Sequence, residues 1–139
     1  MPETRQYSPI FDARTASSFG WLGVNTALAD ENPAYHKRHG EVGSESWWEH
    51  YDAAMFDVRH FQGTVTFLGE REDEFGEVRD EIDITPDRGR VCTYDRCGYW
   101  EDGRIRLGME VEIDTVHVVV SERLGRHEYI IETLVKIGI

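Results

Sequence analysis

The stretch Trp100-Glu101-Asp102-Gly103-Arg104-Ile105 opens the part of the chain that decides the fold. Asp-Gly between two apolar-alternating segments is a strong signal for a two-residue hairpin turn, because both central residues of a type I′ turn need φ > 0. Beyond this turn, apolar and charged residues alternate as far as Ile113, which is the period of a strand with one buried face. The stretch therefore predicts a hairpin whose second strand covers 104–113.

The same combination of short strands and turns continues through everything after Gln62. Besides 104–113, β-branched segments and turn sequences predict strands at 63–69, 75–84, 90–94, 98–101, 115–121 and 128–137. No predicted strand is followed by a helix of crossover length, so parallel βαβ architecture is disfavoured. We therefore expect an α+β protein that is mainly antiparallel β, with a β-meander or a small barrel-like sheet.

One amphipathic helix is predicted ahead of the strands. Ser46 and Glu49 have the spacing of a capping box, in which each side chain satisfies a backbone N–H group of the first turn. An apolar stripe at helical spacing follows, formed by Trp47, Tyr51, Ala54, Met55 and Val58. The pattern predicts a helix over about 46–60. A shorter helix of about two turns, marginal in isolation, is predicted between Asn32-Pro33 and Gly40.

Residues 1–30 lack sustained periodicity, although apolar residues are scattered among their prolines and glycines. Such a segment is too hydrophobic for a disordered tail and too broken for a long helix. We expect an extended N-terminal arm over 1–30, followed by a single α+β domain over 31–139.

The charge of the chain restricts its partners. With 27 acidic and 15 basic residues, the 139-residue chain has a formal net charge of −12. This field repels phosphate backbones and anionic lipid headgroups, so direct nucleic-acid binding and membrane association are not expected. Because no export signal opens the sequence, synthesis in the cytoplasm is expected. The scarcity of lysine fits either a GC-rich genome or a halophilic protein in a salt-rich cytoplasm.

Two segments of opposite charge are candidate contact surfaces. The acidic segment Glu70–Asp83 is predicted to be a solvated hairpin tip or, as the alternative, a surface for a basic partner, with Glu72, Asp73 and Glu74 as its contact residues. The basic cluster His36, Lys37, Arg38, His39 is a candidate docking patch for an acidic neighbour, such as another copy of the chain. The spacing of an EF-hand is absent from the first segment, and no carboxylate or cysteine near the two histidines completes a metal set. No metal and no cofactor are therefore expected.

Tryptophans form a second set of candidate contacts. Trp47 and Trp48 are adjacent, so on a helix they point about 100° apart and cannot share the centre of one stripe. One of them either broadens the buried face or meets a partner. Together with Trp21 of the arm, they are predicted interface residues.

No motif for nucleophilic, nucleotide-binding or zinc-dependent catalysis occurs in the sequence. We expect a non-enzymatic structural subunit of an oligomeric complex, such as a head–tail connector or tail-completion protein of a virion, with its own copies or neighbouring subunits as partners. One alternative is a small β-barrel enzyme or ligand-binding protein with a pocket lined by Tyr94, Tyr99, Trp100 and His117. A second alternative is an acidic mimic of nucleic acid.

Overall fold

The computed structural model describes residues 6–16 and 21–138. Its contacts divide these residues into two compact units. Unit 1 contains residues 6–11, 61–113 and 135–138, and unit 2 contains residues 12–16, 21–60 and 114–134. Within the described residues, no helix has both the length and the apolar character that crossing a membrane requires.

The described residues are mostly antiparallel β, which confirms that part of the prediction. The elements are β1 (Tyr7–Asp12), α1 (Leu22–Glu31), α2 (Pro33–His39), α3 (Glu45–Asp52), β2 (Val58–Glu72), β3 (Val78–Thr85), β4 (Cys92–Asp95), a 3₁₀ turn (Gly98–Glu101), β5 (Glu110–Ser121) and β6 (His127–Gly138). The strands form one sheet in the order β1-β6-β5-β2-β3-β4. Strand β2 pairs with β3, and β3 pairs with β4; both pairs are antiparallel.

The prediction of one helix was wrong, because the described chain has three short helices. Residues 1–30, predicted as an extended arm, contain β1 and α1. The helix α1 buries Val24 and Leu28 in unit 2. The short helix α2 does form as predicted, with Pro33 in its first turn and Gly40 at its end with φ = 80°.

The predicted helix over 46–60 is displaced and shortened to α3. Its N-cap is Ser44, whose hydroxyl accepts a hydrogen bond from the backbone N–H of Trp47 at 3.3 Å, so the capping box at Ser46 does not form. The helix ends at Asp52 because Ala54 adopts a left-handed conformation with φ = 58°. Many helices end with a left-handed residue just after the C-cap, and that residue is more often glycine than alanine.

The prediction of a hairpin turn at Asp102-Gly103 is also wrong. Residues 98–101 form the 3₁₀ turn, and β5 begins only at Glu110. The Asp102 carboxylate accepts the backbone N–H of Arg104 at 2.9 Å and also binds its guanidinium group. These bonds hold the pKa of Asp102 at about 2, the Arg104 side chain being the largest cause. A local side-chain turn of this kind competes with strand pairing, so the chain stays irregular from Asp102 to Met109.

Each unit has its own apolar core. In unit 1 it is built mainly from the inward residues of β2, β3, β5 and β6 with Trp100 and Ile105. In unit 2 the helices pack on β5 and β6, and the core members are Val24, Leu28, Val42, Trp47, Val116, Val118, Val120 and Ile131. The strands predicted at 63–69, 75–84, 90–94 and 128–137 lie near their predicted places, although β2 is longer and β3 starts at Val78 rather than at residue 75. The strands predicted separately at 104–113 and 115–121 are instead one strand, β5.

Candidate functional site

The turn between β2 and β3 is organised by one side chain, that of Asp73. Its Oδ1 atom accepts the backbone N–H groups of Phe75 and Glu77, each at 2.9 Å. The backbone adds two bonds, from Asp73 N–H to the Glu77 carbonyl at 2.8 Å and from Gly76 N–H to the Asp73 carbonyl at 3.1 Å. Gly76 has φ = 83°, a value that glycine adopts without strain. We call residues 72–78 the hairpin tip.

The charge of Asp73 is held by the same contacts. The N–H groups of Glu77 and Phe75 and the guanidinium of Arg79, 3.2 Å from Oδ2, lower the pKa of this carboxyl below its usual value. The group therefore stays ionised at neutral pH and keeps the turn closed. The hairpin tip is a preorganised structure rather than a loose loop.

This preorganised turn presents apolar groups to solvent. Phe75 is 84% exposed and Val78 is 64% exposed. Glu72, Glu74 and Glu77 are exposed in the same tip, and Glu77 lies 3.5 Å from the guanidinium of Arg79. Isolated exposed apolar residues are common, but an aromatic ring on a locked turn resembles the anchors that carry binding energy at protein interfaces.

Below the tip, an ion-pair cluster braces the sheet. Arg71 on β2 donates to Glu81 at 2.7 Å and binds Asp83 through two hydrogen bonds of 2.6 and 2.8 Å. Thr93 on β4 also donates to Asp83, at 2.7 Å. The Arg71 guanidinium lies 4.4 Å from the ring centre of Phe67. Part of the acidic segment thus serves to tie three strands together, and the carboxylates nearer the tip remain exposed.

Unit 2 contains a groove beside α1, which we call the α1 groove. Its volume is about 560 Å³, and its walls include Trp21, Leu22, Asn25, His36 and Val42. The Asn25 side chain accepts the Val42 N–H at 2.8 Å and donates to the Val42 carbonyl at 3.2 Å, which fixes the segment before α3. His36 lies 3.1 Å from the same Asn25 oxygen. Leu22 is 76% exposed at the edge of the groove.

The basic cluster is divided by the structure. Lys37 and Arg38 are exposed on α2, whereas His39 is 8% exposed. The Nδ1 atoms of His39 and His50 are 2.8 Å apart, within hydrogen-bond distance of each other. Burial is the main cause that lowers the pKa of His39, and His50 and Arg38 lower it further. His39 is therefore part of the interior of unit 2, and the exposed cations of the patch are Lys37 and Arg38.

The three predicted interface tryptophans differ in exposure. Trp47 is fully buried and donates its indole N–H to the Tyr35 hydroxyl at 2.9 Å. Trp48 is half-buried, with the guanidinium of Arg14 4.7 Å above its ring. Trp21 is half-buried in the wall of the α1 groove, where its indole packs against Gly43.

The four residues of the predicted aromatic pocket fall in different units, three of them in unit 1 and His117 in unit 2. Tyr94 and Tyr99 pack on Trp100 in unit 1, with ring centres 4.9 and 5.0 Å from it. His117 belongs to unit 2, where its Nδ1 lies 3.1 Å from Glu128. That contact is the largest cause that lowers the pKa of Glu128, and Arg126 adds to it. Among the described residues, no group of three or more His, Cys, Asp or Glu side chains is arranged to hold a metal ion.

Two residues of interest were missed by sequence analysis, Phe75 and Leu22. The sequence pattern places Phe75 at the start of a strand, although Gly76 directly after it and Asp73 before it are typical turn residues. That signal could have placed Phe75 in the turn. Leu22 has no comparable signal, because its exposure depends on which face of an unpredicted helix packs inward.

Compared with known proteins, the chain matches no protein-family model and no curated protein sequence.

Proposed function

We propose that this protein is a non-enzymatic subunit of an oligomeric protein assembly and that the hairpin tip is one of its contact surfaces. The observation that carries this proposal is the Phe75 ring, 84% exposed on a turn that Asp73 locks. A side chain presented in this way needs little ordering when a partner covers it, so most of the gain from its burial is retained as affinity.

The size of that gain is sufficient for an anchor. Fully burying a phenylalanine side chain contributes roughly 1.5–3 kcal/mol. Val78, 64% exposed at the end of the same hairpin, would add apolar area to the contact. A few such residues, surrounded by a polar rim, account for most of the energy of typical interfaces.

The charges around Phe75 define the partner's chemistry. Glu72, Glu74 and Glu77 are exposed in the same tip as Phe75, and the whole chain has a formal net charge of −12. The complementary surface is an apolar depression bordered by lysine or arginine, because opposite charges at the rim favour encounter and fix the register. The partner we propose is thus a protein with such a basic-rimmed depression.

The narrower prediction of a virion connector or tail-completion protein stays a prediction, as does the alternative of a small enzyme. The pairing of Arg71 with Glu81 and Asp83 argues against a mimic of nucleic acid, because it neutralises carboxylates that a row of phosphate-like charges would need.

The proposal is tested by the native mass of the complexes that contain the chain, purified under mild conditions and measured by light scattering. We expect the wild-type protein to run in complexes well above its own mass of 16.1 kDa. Phe75→Ala should release it into smaller species. Leu107→Ala is the matched control, since Leu107 is a 63% exposed apolar residue of the same unit. Complexes of unchanged mass in Phe75→Ala would overturn the proposal.

A further inference from the structure

We infer that the α1 groove binds a small organic cation, namely a primary ammonium group carried on a short apolar chain. The groove belongs to unit 2 and the hairpin tip to unit 1, so a ligand here is a function separate from the contact surface proposed above. Three features of the groove point to this ligand: the hydrogen bonds of its wall, its charge and its apolar surface.

The hydrogen bonds of the wall begin with Asn25, whose amide is oriented by the backbone. The Val42 N–H donates to its Oδ1 at 2.8 Å, and its Nδ2 donates to the Val42 carbonyl at 3.2 Å. Because the Asn25 oxygen can only accept, the Nε2 atom of His36, 3.1 Å away, carries a hydrogen and donates it. In the neutral ring, Nδ1 of His36 is therefore an acceptor.

The polar groups that remain for a ligand include an anionic acceptor. The Thr26 hydroxyl donates within α1, to the Leu22 carbonyl at 2.7 Å, so it is already used. The Glu41 carboxylate, in contrast, makes no hydrogen bond or ion pair with any residue that the structure describes. An ammonium group has three donors and no acceptor, which makes it the complement of such a wall.

The charge of the groove favours the same ligand. Among the described residues that line it, Glu41 is the one carboxylate, and there is no lysine or arginine. Lys37 and Arg38 follow His36 along α2 but are not lining residues. The formal net charge of −12 also attracts cations and repels anions. A single carboxylate matches a ligand with a single positive charge.

The rest of the wall fits an apolar chain. Trp21, Leu22, Ala29 and Val42 contribute apolar side chains, and Leu22 is 76% exposed at the edge. The face of an indole also attracts a cation that lies within about 6 Å of its centre. The volume of about 560 Å³ is within the range of roughly 300–1,000 Å³ that is typical of ligand sites.

The α1 groove is preformed on at least one side. The two hydrogen bonds of Asn25 hold Val42 in place. Gly43 has φ = 88°, and a Cβ atom there would lie 3.1 Å from the Trp21 indole, so the ring packs closely against this segment. A ligand that enters a preformed groove pays little for ordering the protein.

The experiment is an NMR titration of the full chain with butylammonium chloride at about 0.05 M salt, in which backbone N–H and tryptophan indole N–H signals are followed. We expect saturable shifts at the Trp21 indole and at Val42 and Gly43, with a dissociation constant of roughly 1 mM. The Trp47 indole donates to Tyr35 in the interior, so its signal should shift less.

Three further probes separate the site from a general attraction to an acidic protein. Butanol has the same chain without the charge, and butyrate carries the opposite charge, so both should bind more weakly than butylammonium. The dication 1,4-diaminobutane should also bind more weakly, because its second ammonium group would lie against the apolar wall. General attraction to the net negative charge predicts the reverse order for the dication.

Two matched variants test the carboxylate. Glu41→Gln should weaken butylammonium binding roughly two- to fivefold, as expected for the loss of an exposed ion pair. Glu49→Gln removes an exposed carboxylate of the same unit that does not line the groove, and it should leave the affinity unchanged.

The ligand assignment is overturned by any of three results. These are shifts that are absent or spread over the whole chain, a dication that binds more tightly than butylammonium, and equal effects of Glu41→Gln and Glu49→Gln. None of these results would alter the role proposed for the hairpin tip, which is measured by the mass of the complexes.

Discussion

Replacing Ala54 with glycine should stabilise the protein. Ala54 has φ = 58°, and the two hydrogen bonds that follow α3 depend on this conformation. They run from Ala54 N–H to the Tyr51 carbonyl and from Met55 N–H to the His50 carbonyl, both 3.1 Å long. This is the Schellman arrangement, in which the left-handed residue is usually glycine.

The magnitude follows from two opposing terms. A left-handed conformation costs a residue with a Cβ atom roughly 1–2 kcal/mol, and glycine avoids this cost. Glycine loses more backbone entropy on folding, which offsets roughly 0.5–1 kcal/mol of the gain. The net increase in the free energy of unfolding should be about 0.5–1 kcal/mol. In thermal unfolding this corresponds to a rise of about 1–4 °C in Tm.

The assay is equilibrium unfolding in urea, followed by tryptophan fluorescence. Ala54→Gly should raise the midpoint without changing the slope, because the surface exposed on unfolding is the same. Ala53→Gly is the matched control: Ala53 has φ = −81°, so glycine there brings only the entropic cost and should lower the midpoint. If Ala54→Gly is neutral or destabilising, or if the two variants behave alike, the left-handed end of α3 is wrong.

Three further predictions concern the interior. His39 is buried and its pKa is lowered, so the unfolded chain binds more protons near its usual pKa of 6.5, and the free energy of unfolding should fall from about pH 7 to about pH 5. His39→Phe should reduce this dependence of stability on pH. If the wild-type protein and His39→Phe lose stability in parallel as the pH falls, His39 is not the group responsible. Gly63→Ala should destabilise the fold by about 1–3 kcal/mol, because its Cβ atom would lie 2.7 Å from Ile84 Cγ2. Urea unfolding measures this change. A neutral effect would show that the strands are less closely packed there. Tyr51→Phe removes a 2.9 Å hydrogen bond to the buried Thr133 hydroxyl and should lower the free energy of unfolding by about 0.5–1.5 kcal/mol, measured in the same way. Unchanged stability would mean that this hydrogen bond is absent.

The antiparallel β class could be predicted from sequence because alternation is a local property. The inward residues Val111 and Ile113 of β5 and Val135 and Ile137 of β6 are buried, as the period of two requires. The helix α2 was also predictable, since proline and glycine mark its two ends.

The errors arise where a side chain redirects the backbone. Asp102 bonds to Arg104 instead of occupying a hairpin turn, and Ser44 rather than Ser46 caps α3. In both cases the observed and the predicted arrangement satisfy the same local sequence preferences, and only tertiary packing decides between them. Ala54 gives no sequence signal for a helix end, because alanine favours helix interiors.

For the candidate site, the sequence indicated the charged residues but not the exposed apolar residues Phe75 and Leu22. Glu72 and Glu74 were predicted contact residues and are exposed on the tip, whereas Trp47 was predicted in the same role and is fully buried. Exposure of Phe75 and Leu22 depends on the turn and on the helix face, which are settled by tertiary structure.

The contact role of the hairpin tip is tested most directly by photo-crosslinking from position 75. A photoreactive phenylalanine analogue replaces Phe75 in the full chain, and the same analogue at Leu107 serves as the control, because both positions are exposed in unit 1. We expect a discrete crosslinked species from position 75 that is absent from position 107. No adduct from position 75, or the same adducts from both positions, would contradict the claim that the hairpin tip is a contact surface.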